Sequence, residues 1–92
     1  GEEVYYWKAK DGGEVDFVTR RGTEIDQAIQ VTLSLSDEVV LKRETAALLK
    51  AEEILKPNQL LILTEDEETT LTIETSTIIV KPIWKWLLNY QP

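Results

Sequence analysis

The chain has 92 residues, enough for one domain and too few for two. A chain this short buries roughly 60–65% of the surface it exposes when unfolded, so its stability is modest. It has no Cys and no His, which excludes disulfides, thiolate or imidazole metal sites, and Ser-His-Asp or Cys-His catalysis within the chain. Ten Lys and Arg stand against 17 Asp and Glu, a net charge of −7 that disfavours general nucleic-acid or anionic-membrane binding. No apolar run approaches the ~18 residues of a membrane span, and no signal-peptide pattern opens the chain, so the cytoplasm is the default expectation. The chain opens on Gly1 and has no Met, which reads as a piece of a longer protein.

Val4-Tyr5-Tyr6-Trp7 is β-branched and aromatic and predicts a first strand. Lys10 to Gly13 is turn chemistry, and Glu14 to Thr19 predicts the second strand of a hairpin. Arg20 to Thr23 is a second turn. A third strand is expected from Ile25 to Leu35, with Ile29, Val31, Leu33 and Leu35 on one face and Ala28, Gln30, Thr32 and Ser34 on the other.

Ser36-Asp37-Glu38 is a helix start, a capping side chain followed by acid in the first turn. The helix is expected to reach Leu55, with Val40, Leu41, Ala47, Leu48, Ala51, Ile54 and Leu55 forming its apolar stripe. Lys56-Pro57-Asn58 ends it. Gln59 to Thr64 is a continuous apolar run, as in a strand covered on both faces. Glu65 to Glu68 reads as a solvated acidic loop, lacking the spacing and the Gly of a calcium loop. Strands over Thr69–Glu74 and Thr77–Lys81 follow. Pro82 then fits the first turn of a short helix, Ile83 to Asn89. The fold class is α/β: a mixed central sheet, one long crossover helix and a short C-terminal helix.

Three groups of residues invite a functional reading. Asp16 in the second strand faces Gln30 and Thr32 of the third, whose side chains project side by side. The plainer reading makes Asp16 a structural acid bonded to neighbouring backbone, with Gln30 and Thr32 on a half-exposed face. The acidic run is the second group. The third is Trp7, Trp84 and Trp86 with Tyr5, Tyr6 and Tyr90, which suits core or partner anchoring better than base stacking, given the charge. Trp84 and Trp86 are two apart in a helix and face different ways. One is expected to cover the sheet and the other to offer a partner surface.

Tyr6-Trp7-Lys8, then Asp11-Gly12-Gly13-Glu14-Val15-Asp16-Phe17-Val18, then Ile29-Gln30-Val31, resembles the PD-(D/E)XK nuclease-like domain at the C-terminus of archaeal and bacterial AAA-type ATPases of unassigned function. Arg43-Glu44, Ala47 to Ala51, Leu61 to Thr64 and Pro82 to Leu88 continue the likeness in order, so it spans nearly the whole chain. It implies a truncated restriction-endonuclease-like core. Active members hold Mg²⁺ on an Asp and on an acid-X-Lys of the next strand, the Lys assisting water or developing charge. Asp16 matches the first acid. Gln30 stands at the second acid and Thr32 at the Lys, so two of the three chemical groups are replaced.

The resemblance therefore implies a non-catalytic accessory or interaction domain of an ATP-binding protein, with no cofactor of its own. Its partners would be the upstream ATPase domain or a second copy of the chain. ATP would belong to that upstream domain, since this chain has no phosphate-binding loop. The alternative is a Mg²⁺-dependent nuclease or DNA-binding domain completed by residues upstream of Gly1 or by a partner chain.

Overall fold

The computed structural model describes residues 2–89. The elements are β1 (Glu2–Lys8), β2 (Glu14–Arg21), β3 (Glu24–Val31), α1 (Glu38–Leu55), β4 (Gln59–Thr64), β5 (Thr69–Ile73), β6 (Ser76–Pro82) and α2 (Ile83–Asn89). The strands form one six-stranded mixed sheet in the order β1-β2-β3-β4-β6-β5. β3, β4 and β6 run parallel, and the antiparallel β1-β2 pair and β5 flank them. Among the described residues, no helix is long and apolar enough to cross a membrane.

The apolar run of β4 puts Leu60 and Ile62 into one core and Leu61 and Leu63 into the other, so the strand is covered on both faces as its sequence implies. The larger core packs Val15, Val18, Ala28, Ile78 and Val80 against Ala47, Leu48 and Ala51 of α1. The smaller core is Ile29, Leu61 and Leu63 under Trp86 of α2. Among the described residues, one face of the sheet thus has an eighteen-residue helix over it and the other the seven residues of α2.

α1 starts where Asp37 accepts from the Val39 N–H at 2.8 Å. It stops at Lys56, which takes the left-handed conformation (φ 52°) and donates its N–H to Glu52 O at 3.1 Å before Pro57. The stripe differs from the expected one at three positions. Glu44 and Thr45 are buried, whereas Ile54 is exposed. Thr45 can be buried because its hydroxyl donates to Leu41 O at 2.7 Å.

Several boundaries shift. β1 and β2 extend to the Glu2–Arg21 pair. β3 ends at Val31 and not at Leu35. Beyond it Ser34 and Ser36 bond to each other and to local backbone, offering the chain an alternative to the ladder. Leu35 consequently packs with the α1-side core, away from the face that Ile29 occupies. Pro82 closes β6 opposite Thr64 and does not open α2.

Candidate functional site

Between the pairs Tyr5–Val18 and Trp7–Val15, Tyr6 of β1 faces two residues of β2, Asp16 and Phe17. This β-bulge turns Asp16 toward β3, whose pairing with β2 begins only at Phe17–Ile29. A gap opens there between the strands, and Gln30 fills it. Its Oε1 accepts from the Asp16 N–H at 3.0 Å, and its Nε2 donates to Glu14 O at 2.7 Å. Asp16 Oδ2 accepts from the Val31 N–H at 2.9 Å. The Gln30 amide thus behaves as a surrogate peptide group that continues the β3–β2 link beyond the last ladder pair, Phe17–Ile29, beside the β1–β2 bulge. Gln30 is 1% exposed, so the expectation of a half-exposed face fails for it: satisfied on both sides, the amide can be buried at little cost.

A cavity of about 650 Å³ lies beside this bridge, between the β1-β2 hairpin and α1. Asp16, Gln30, Glu14, Glu44 and Lys50 line it. The hairpin turn at its mouth needs Gly12, whose φ of 109° is strained for any side chain. Across the mouth Lys50 Nζ meets Asp11 Oδ2 at 2.7 Å. That bond, with the attraction of the two charges, holds the Asp11 carboxyl below its usual range and the Lys50 ammonium above its own. Tyr6 bonds to the Glu14 carboxylate, which raises the hydroxyl's pKa. Glu44 is buried at the cavity wall with Arg43 Nε at 3.3 Å.

The apolar pattern of α1 does not single out Glu44, because an acid on a helix stripe does not register as core. Its place three before Ala47 and four before Leu48, on the stripe, is the signal that finds it.

The third expected residue does not join the pair. Thr32 lies past the end of β3, with its N–H on Leu63 O at 3.0 Å and its hydroxyl on Ser34 O at 3.4 Å. Among the described residues, no group of three acidic side chains gathers closely enough to hold a metal ion. Within the Asp16–Gln30 pair, Asp16 Oδ2 is already engaged by the Val31 N–H and its neighbour is a neutral amide, so one carboxylate stands where two would hold Mg²⁺.

The acidic run is partly built into the fold. Glu67 Oε1 accepts from the Leu35 N–H at 2.8 Å, and Thr64 Oγ1 binds both Glu67 N and Glu67 O. Glu68 pairs with Lys85, leaving Glu65 and Asp66 exposed.

Trp86 rests on Ile29, Leu61 and Leu63, while Trp84 is 56% exposed. Tyr90 lies outside the described residues. No protein-family model, curated protein or solved structure matches the chain.

Proposed function

We propose that the chain is a non-catalytic interaction domain of a larger ATP-binding protein, built on a degenerate restriction-endonuclease-like core. The observation that carries this reading is the Gln30 amide, which spends its acceptor on Asp16 N and its donor on Glu14 O. With Asp16 Oδ2 held by the Val31 N–H and Thr32 outside the strand, the three positions that would bind metal and activate water serve the backbone instead. The apolar side chains left bare beside α2 support the interaction role, because patches of that size on small domains mark partner surfaces. In this reading the upstream ATPase domain supplies ATP binding, and this domain supplies contacts.

The cavity favours one second reading. Asp16, Glu14 and Glu44 line a cleft of about 650 Å³ with Lys50, which leaves room for a nuclease or DNA-binding site completed by another segment or chain. Incubation with branched and single-stranded DNA plus Mg²⁺ or Mn²⁺ separates the two. The interaction reading expects no metal-dependent cleavage above background. Cleavage that disappears in Asp16→Asn would replace it with the second.

A further inference from the structure

Among the described residues, the sheet face opposite α1 is only partly covered. Trp86 shields Ile29, Leu61 and Leu63, but beside it a groove of about 360 Å³ runs between α2 and β1. Val4, Phe17 and Val31 form its floor, and Ile83 and Leu87 form its wall. Next to the groove stands a ridge, since Trp84 and Leu88 sit four apart on the outer side of α2. These seven side chains are between 39% and 75% exposed. A free aromatic side chain offers roughly 150–250 Å², and an aliphatic one somewhat less, so the patch holds on the order of 600 Å² of apolar surface. That matches or exceeds the largest patch of an ordinary monomer, roughly 300–600 Å². It also reaches the lower limit of a standard interface, roughly 600–1,000 Å² on each partner.

Resting on the interaction reading above, we propose that this face binds a second copy of the chain, the α2 ridge of each copy lying in the α2–β1 groove of the other. Two properties commit the face to that occupant. A two-fold interface uses the same patch on both subunits and must be self-complementary, and this patch contains both ridge and groove. Each copy also carries −7, so two copies repel over most of their surfaces. None of the seven patch residues is charged, and the neighbouring Lys85 is paired with Glu68. The patch is therefore a surface on which two such chains can meet without burying like charge.

Sedimentation equilibrium of the 92-residue chain tests this. The expected result is a reversible dimer with Kd on the order of 10–100 µM. It tightens as added salt screens the mutual repulsion. Leu87→Lys and Phe17→Lys each weaken it at least tenfold, while Ile54→Lys, on the exposed side of α1, leaves it unchanged. Circular dichroism of each variant checks that the fold is kept. A monomer up to about 1 mM overturns the proposal and leaves the interaction domain in need of a different partner. A dimer that survives both groove variants overturns it as well, by placing the contact elsewhere. Metal-dependent cleavage would instead remove the interaction reading itself, whatever the oligomeric state.

Discussion

Asp16 and Gln30 bind each other's strands beside the β1–β2 bulge, the Asp16 N–H donating to Gln30 Oε1 at 3.0 Å while Asp16 Oδ2 accepts from the residue after Gln30 at 2.9 Å. The arrangement needs a side chain that donates and accepts at once, because Glu14 O lies 2.7 Å from Gln30 Nε2. An amide does both. A carboxylate only accepts, and at this position it would face a carbonyl oxygen with the Asp16 carboxylate nearby.

Gln30→Glu is therefore expected to be destabilising at pH 7, by about 2–4 kcal/mol, the cost of a buried charge without its partner. Its folded-state pKa lies above the unfolded value of about 4.3, because burial and the neighbouring oxygens disfavour the charged form. Stability of the variant is therefore greatest below the unfolded pKa, where the protonated acid donates to Glu14 O, and is lost as pH rises through the folded pKa. Urea melts from pH 4 to pH 8 check this. A variant equally stable across that range contradicts the bridge.

The two tryptophans of α2 are expected to part company. Trp86→Ala removes the cover over Ile29, Leu61 and Leu63 and is expected to cost about 2–4 kcal/mol, toward the lower end for a large core residue because it is only partly buried. Trp84→Ala, at a 56% exposed position, is expected to change monomer stability by no more than about 0.5 kcal/mol. Chemical denaturation of both variants, at concentrations low enough to keep the chain monomeric, reads the difference.

These two residues also show how much of the fold was legible. Their spacing of two in a helix was enough to set them on different faces, and the apolar run of β4 was enough to require cover on both sides. The continuation of β3 to Leu35 was misread because alternation persists in a segment where Ser34 and Ser36 capture the local hydrogen bonds. Periodicity records side-chain character and is blind to that competition. In the candidate site, Asp16 and Gln30 were recognisable as neighbours. That Gln30 serves the backbone was not, since it depends on a bulge that places two β2 residues against one of β1.

Lys56 holds a left-handed conformation (φ 52°) at the end of α1, where a side chain crowds the backbone. Lys56→Gly is expected to stabilise the protein by about 0.5–1 kcal/mol, since glycine meets no Cβ conflict there. A rise in the urea midpoint with an unchanged slope confirms it. A fall would mean that the Lys56 side chain contributes more than its conformation costs.

Asp11 is expected to titrate below the usual carboxylate range because of its bond to Lys50. Its depressed pKa contributes stability above the unfolded value, and that contribution is lost as pH falls through the folded value. Both groups are solvent-exposed, so the effect is small and screened by salt. Carboxyl NMR titration is expected to show the Asp11 pKa rising to the usual range in Lys50→Ala and drifting toward it at high ionic strength.

In the proposed reading Asp16 and Gln30 hold strands together and do not hold a metal. A ligand that binds the folded state raises the melting temperature according to its concentration and affinity, so thermal unfolding with increasing Mg²⁺ or Mn²⁺ decides between the two roles. The expected result is the same midpoint in metal as in an ionic-strength-matched control, for the parent chain and for Asp16→Asn. A metal-specific rise that Asp16→Asn abolishes would contradict it.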